Sequence, residues 1–250
     1  MGEKTMAKTV LITGAASEIG QEILSVFLNR NYKIIATEIS SEMASLKEMI
    51  KHEEGRVKTF VLDLENDEDI TAFTKSVLAN YPIHDLVNVA GINILRNFFE
   101  WTADDLRKVM NINWVGTFLL SKAVAENMIL HSIKGSITTI SSQHAVAANK
   151  ERVPYCVSKA GLVQLTKVLG LELAPYKIRA NCVSPTFVLT EKNKHLLYSN
   201  QFLDQELTKI PLGSYAEPKD VANAVEFLSS DSSSMITGHN LIVDGGWTIQ

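Results

Sequence analysis

The segment TGAASEIG, Thr13 to Gly20, decides how the rest of the chain is read. A short apolar run, 9–12, precedes it and a stretch with helical spacing, 18–30, follows it. That order is strand, tight turn, helix. Gly14 permits the turn and Gly20 permits close packing of helix on strand. A helix beginning here points free N–H groups and a positive dipole end at any phosphate lying against the turn. Glu18 stands where a third glycine would be expected, and a carboxylate beside a phosphate is electrostatically unfavourable. It either turns to solvent, where it favours the helix dipole, or competes with a bound phosphate for the same positive end.

Working outward, further short β-rich apolar runs occur at 33–37, 57–62, 85–89, 136–140, 178–183 and 240–243. Each is nearly continuous in apolar character, as strands buried on both faces are. Helical patterns fall between them, at 18–30, 41–53, 67–80, 103–130, 154–174 and 218–230, with Asp67 and Thr102 as expected N-caps and Pro218 in a first turn. Alternating strands and helices predict an α/β chain: a Rossmann-type, doubly wound parallel sheet of about seven strands with helices on both faces. Ligands of such folds bind beyond the carboxyl ends of the strands. The chain reads as one domain over 1–250, with a cofactor half at about 1–140 and a catalytic and substrate half at about 141–250. Within the second half, the polar stretch at about 190–211 interrupts the alternation and reads as a substrate-covering lid.

Composition narrows the function classes. Hydrophobic residues make up 46% and charged residues 21%, as in ordinary globular domains. The net charge of −4 and the lack of a basic run argue against nucleic-acid binding. No apolar run reaches the ~18 residues of a membrane span, and no metal-ligand spacing occurs. The polar start, GEKTMAKT, does not resemble a signal peptide, so the expectation is a cytoplasmic protein in which Cys156 and Cys182 are reduced, buried thiols.

Two spacings point to chemistry. Glu38 ends the second strand, twenty-five residues after Thr13. An acid there accepts hydrogen bonds from both adenosine ribose hydroxyls and repels a 2′-phosphate, favouring NAD over NADP; otherwise it is a solvated strand-end charge. Tyr155 and Lys159 share a helix face, and an ammonium near a phenol lowers the phenol pKa, making an acid/base of it. Alone, Y-x-x-x-K reads as an exposed helix pair.

Taken together, TGAASEIG, Asp63, NVAG (88–91), Asn113, Ser142, YCVSK (155–159), SPTFVLT (184–190) and VDGG (243–246) resemble the short-chain dehydrogenase/reductase family over essentially the whole chain. The resemblance implies Tyr155 as proton donor and acceptor, Lys159 as the residue that lowers its pKa and holds the nicotinamide ribose, Ser142 as the hydrogen-bond donor to the reacting oxygen, and Asn113 as holder of a relay water. It implies cofactor contacts at Gly14, Ser17, Glu18 and Ile19 in the turn, and at Glu38, Asp63 and Leu64 around the adenosine. Asn88, Ala90 and Gly91 would line the middle of the cofactor, and Pro185, Val188 and Thr190 its nicotinamide end. It also implies a homotetramer joined through the helices near 103–130 and 154–174 and the C-terminal strand.

Three positions depart from the family pattern: Glu18, Val89 for the second Asn of N-N-A-G, and Thr186 for the glycine of P-G. Val89 is expected to cost a side-chain hydrogen bond supporting the sheet, and Thr186 to face the nicotinamide region. The stretch from SSQ to SPTFVLT is most similar to L-xylulose reductases and other polyol and sugar dehydrogenases. LVNVAGI resembles dihydrodihydroxybenzoate dehydrogenases, and His144 with VDGGWTIQ resembles 3-hydroxybutyrate dehydrogenases. Gln143, His144, Asn149 and Arg152 fall between the catalytic Ser and Tyr and would face the substrate, with Phe187 shielding the site from water. His144 is equally a satisfied loop histidine, and Arg152 either a carboxylate clamp or a solvated charge. The reading is therefore an NAD-dependent oxidoreductase for a small hydroxylated substrate. A hydroxy acid or cyclic dihydrodiol is the alternative, and a retired dinucleotide-binding scaffold, supported by Glu18, is the alternative from another class.

Overall fold

The computed structural model describes residues 7–53, 55–199, 202–203 and 206–249. Its seven strands are β1 (Thr9–Thr13), β2 (Lys33–Glu38), β3 (Val57–Val61), β4 (Asp85–Asn88), β5 (Ser136–Ile140), β6 (Arg179–Pro185) and β7 (Asn240–Val243). All pair in parallel in the order β3-β2-β1-β4-β5-β6-β7. The order reverses between β1 and β4, which opens a crevice at their carboxyl ends. Strand periodicity places the two cores. Val10 and Ile12 of β1 pack on one face with Ile34 and Ala36, whereas Leu11 faces the other side with Ile35 and Leu86.

Among the described residues the α-helices are α1 (Glu18–Asn29), α2 (Met43–Met49), α3 (Asp67–Phe73), α4 (Ala103–Met110), α5 (Thr117–Leu130), α6 (Val153–Glu172), α7 (Lys194–Leu197) and α8 (Pro218–Ser229). Helices α1, α2 and α8 bury Ile23, Phe27, Leu46 and Val225 on the first core. Helices α3 and α5 bury Ile70, Phe73, Leu120 and Met128 on the second.

The structure corrects three boundary expectations. The cap of α3 is Asn66, whose Oδ1 accepts from Glu68 N at 2.9 Å; Asp67 is the first helical residue, where its charge favours the dipole. The single helix expected over 103–130 is divided by a π-helical turn, Asn111–Gly116, which carries the buried Asn113. Such widened turns collect at functional positions because they re-aim side chains without ending a helix. Strand β6 extends to Pro185 because β7 pairs with it that far. The segment expected as a lid holds the short α7, and Phe202 and Leu203 pack with Leu197, Ile210 and Tyr215; its positions 200, 201, 204 and 205 lie outside the described residues, as do 1–6 of the N-terminal stretch. Both cysteines are free, Cys182 buried and Cys156 partly so. Among the described residues, no helix is long and apolar enough to cross a membrane, and no acidic, His or Cys cluster is arranged to hold a metal.

Candidate active site

Backbone geometry makes the first half of the crevice. Gly14 has φ +62°, and a Cβ there would stand 2.9 Å from the Cα and N of Ala90, so both conformation and space call for glycine. The chain after β4 is held this close because Thr13 Oγ1 accepts from the amides of Val89 and Ala90, at 3.0 and 3.2 Å. Ser17 caps α1: its Oγ accepts from Gly20 N at 3.1 Å and donates to Gly14 O at 2.7 Å. The amides of Glu18 and Ile19, next in the turn, have no acceptor among the described residues and sit at the positive helix end. Beside them lies a cavity of about 500 Å³ lined by Gly14, Ser17, Glu38, Asp63, Leu64, Ala90 and Gly91. This region therefore gathers seven of the expected cofactor residues. The Glu38 carboxylate accepts from Ala16 N and Ile39 N, both at 3.0 Å, which fixes its charge at the end of β2.

A second cavity of about 430 Å³ shares Ser17, Val89, Gly91 and Ile92 with the first and is lined by Ile19, Ser142, Tyr155, Lys159, Pro185, Val188 and Thr190, whereas Glu18, Asn88 and Asn113 line neither. Lys159 is buried and donates to Ile140 O at 2.8 Å. Burial draws its ammonium down to about 8. Its Nζ lies 5.7 Å from the Tyr155 ring centroid. The Tyr155 hydroxyl is raised above its ordinary value, mainly by desolvation, with the Ser142 hydroxyl and the Arg152 charge opposing. Desolvation therefore outweighs the Ser142 hydrogen bond and the Arg152 charge at Tyr155. A protonated phenol beside Ser142 is the arrangement of a proton donor. Ser142 Oγ itself accepts from His144 N at 3.1 Å, which orients it.

Asn113 is fully buried. Its Nδ2 donates to Ile92 O at 2.9 Å and Ser158 Oγ at 3.1 Å, and its Oδ1 accepts from Ile92 N at 2.8 Å. The side chain thus stitches the strip after β4 to α6 behind the lysine. Gly91 fits against it: a Cβ there would come within 3.2 Å of Asn113 Oδ1 and 3.4 Å of Lys159 Nζ. Asn88 points away from the cavities, donating to Ser121 and Thr139. Val89 keeps its backbone bond to Thr13 and packs its side chain on the apolar core, so the lost side-chain hydrogen bond is offset locally.

On the substrate side, Gln143 is 1% exposed and lines the second cavity, yet neither end of its amide has a partner among the described residues. Thr186 and His144 line the same cavity, and Thr186 Oγ1 and His144 Nδ1 are buried without a hydrogen-bond partner among the described residues. Burial, and then Arg152, lowers the His144 imidazole to about 4, so it is neutral at physiological pH. It sits among Tyr155, Phe187 and Trp247, with ring centroids 6.4, 5.7 and 5.9 Å away. Arg152 lines the cavity, its guanidinium donating to Lys150 O. Asn149 does not line either cavity; its amide turns to Glu206 at 3.4 Å, since the chain bends away after the short turn at 143–145. Glu18 does not point to solvent alone: its Oε1 accepts from Glu191 N at 2.8 Å.

Sequence reasoning missed Asn193, which lines the cavity and fixes the turn after β6 by accepting from Thr190 N and donating to Val188 O, at 2.9 and 2.8 Å. An Asn just before a short helical pattern was the available signal.

Known proteins share this architecture. Residues 14–248 match a family described as enoyl-(acyl carrier protein) reductase. An NAD-dependent glycerol dehydrogenase of Listeria innocua is 34% identical, covering 97% of this chain and 94% of its own. An L-xylulose reductase of Caenorhabditis elegans is 34% identical, with 96% of each chain covered. The crystal structure of a gluconate 5-dehydrogenase from Burkholderia cenocepacia, in complex with NADP and tartrate, superposes with a TM-score of 0.90 at 28% identity, over 97% of this chain and 96% of that one.

Proposed function

The chain belongs to the short-chain dehydrogenase/reductase family of nicotinamide-dinucleotide-binding oxidoreductases, and from that premise we propose that it is an NAD(H)-dependent enzyme interconverting a secondary alcohol and a ketone on a polyol, sugar or similar small hydroxylated molecule. The observation that carries the substrate class is the set of buried, unpartnered polar atoms on Gln143, Thr186 and His144. A buried polar atom without a partner is costly, and a ligand bearing several hydroxyls, each both donor and acceptor, satisfies all three groups. Relatives that act on glycerol and L-xylulose support the same class.

The cofactor reading rests on Glu38. Its carboxylate is fixed at the end of β2 and would repel a 2′-phosphate, which favours NAD. The open amides of Glu18 and Ile19 fit a pyrophosphate. When bound, the nicotinamide ring supplies hydride donation or acceptance. The chain supplies the rest. Tyr155 gives its phenolic proton to the substrate oxygen in reduction and recovers it in oxidation; Ser142 Oγ donates to the same oxygen. Lys159 holds a positive charge or a free amine in nearly equal measure close to pH 8, beside the phenol. Asn113 positions Lys159 and the strip at Gly91. Phe187 and the aromatic cluster around His144 keep the reacting carbon out of bulk water.

Arg152 on the cavity wall favours a second reading, a small hydroxy acid whose carboxylate it would hold. We propose a cytoplasmic homotetramer, on family resemblance and on the apolar residues Leu130, Val157 and Leu171 exposed on α5 and α6. The test is a panel of polyols, ketoses, hydroxy acids and cyclic diols with NAD and with NADP, followed by reduced-nicotinamide absorbance. Turnover of polyols with NAD is expected; turnover of hydroxy acids alone moves the assignment to the Arg152 reading, and preference for NADP overturns the role given to Glu38.

A further inference from the structure

The crevice has two walls that come from opposite ends of the chain. One is the first turn of α1, contributing Ser17 and Ile19; the other is the turn after β6, contributing Val188, Thr190 and Asn193. That second turn is fastened internally by Asn193 to Val188 and Thr190, and its beginning is anchored to the chain before α8 by the bridge of Val188 with Ala216. The Glu191 amide instead turns outward and meets Glu18 Oε1 at 2.8 Å across the mouth of the crevice, 173 residues away in sequence. The Glu191 side chain is occupied elsewhere, in an ion pair with Lys194, so the Glu18 carboxylate meets an N–H rather than another carboxylate. A glycine at position 18 has no side chain with which to make this bond.

We infer that Glu18 is a positioning residue, a strap that holds the Thr190–Asn193 turn against the cofactor turn and so limits the rate at which a dinucleotide enters and leaves. The inference rests on the reading of this crevice as a dinucleotide site. A bond from a neutral amide to an ionised acceptor is stronger than a neutral pair, yet here it lies at the surface, where it can open and reclose. The strap has a second consequence. The carboxylate keeps a negative charge near the pyrophosphate position, so it slows exchange while weakening the resting complex. The two effects separate by substitution, because Glu18→Gln keeps an acceptor without the charge and Glu18→Ala keeps neither.

Two measurements decide it. Hydrogen exchange in the cofactor-free protein should show the Glu191 amide exchanging faster in Glu18→Ala, by about tenfold, and close to wild type in Glu18→Gln. Stopped-flow displacement of NADH should show dissociation about tenfold faster in Glu18→Ala, equivalent to about 1.4 kcal/mol, with Glu18→Gln within about threefold of wild type. Unchanged exchange at Glu191 in Glu18→Ala overturns the strap whatever the protein binds. Accelerated exchange at Glu191 with unaltered NADH dissociation overturns its role in cofactor traffic. Failure of the wild-type protein to bind NADH, with the exchange difference intact, rejects the dinucleotide reading and leaves the strap as a fact of the cofactor-free protein.

Discussion

Replacing Gln143 with Met should make the protein more stable and a poorer enzyme. Gln143 is 1% exposed, and both polar atoms of its amide lack a partner among the described residues. Each such atom costs about 1–3 kcal/mol of folding free energy, and Met fills nearly the same volume with a flexible, unbranched chain and no amide. The two costs overlap, so a gain of about 1–3 kcal/mol is expected for the variant. The loss appears in catalysis. If the amide pairs with two substrate hydroxyls, at about 0.5–1.5 kcal/mol each, kcat/KM for a polyol should fall about tenfold to a hundredfold. Urea unfolding at matched protein concentration reads the first quantity, and steady-state kinetics with a polyol and NAD reads the second. A variant less stable than wild type would show that the amide is satisfied in the folded protein. Undiminished kcat/KM would show that it does not touch substrate. Either result refutes the reasoning that ties buried unpaired polarity to substrate class.

Other consequences follow from charge and burial. Burial raises the Asp85 carboxyl from 3.8 to about 6, against a hydrogen bond from Ser136 at 2.5 Å. A raised folded-state value means the protonated form is favoured by folding, so this group's contribution is full below the unfolded value and is lost as pH rises through about 6. Asp85→Asn should therefore gain on wild type by about 2 kcal/mol more at pH 7.5 than at pH 4.5 in urea titrations, and an equal difference at both pH values contradicts the raised carboxyl. Glu38→Ala should lower the preference for NADH over NADPH at least about tenfold in fluorescence titrations, roughly 1.4 kcal/mol; an unchanged ratio removes Glu38 as the discriminator. The His144 ring, held down to about 4, should show no NMR titration between about pH 5.5 and 8, whereas a midpoint near the ordinary value would mean the aromatic cluster is open to water.

The sheet was legible because its central strands are doubly buried and so largely apolar, and β1, α1 and the turn between them fall where TGAASEIG places them. The candidate catalytic side chains were legible through the family resemblance, which Y-x-x-x-K alone could not carry; the structure brings Ser142, Tyr155 and Lys159 to one cavity. What escaped depends on three-dimensional context. The π-turn at Asn111–Gly116 carries no propensity signal and splits a continuous helical pattern. The direction of the Tyr155 shift turned on desolvation, which Y-x-x-x-K does not show. Glu18 was recognised as anomalous, but its partner lies on a distant turn that no local pattern links to it.

The proposed chemistry of this crevice is proton transfer through the Tyr155 hydroxyl to a hydroxylated substrate. Tyr155→Phe removes that oxygen and little else, since the ring and its contact with His144 remain. Turnover of the best polyol with NAD should fall by at least about a thousandfold, while NADH binding, followed by fluorescence, stays within about threefold of wild type. Turnover retained within about tenfold, with binding intact, would contradict the mechanism.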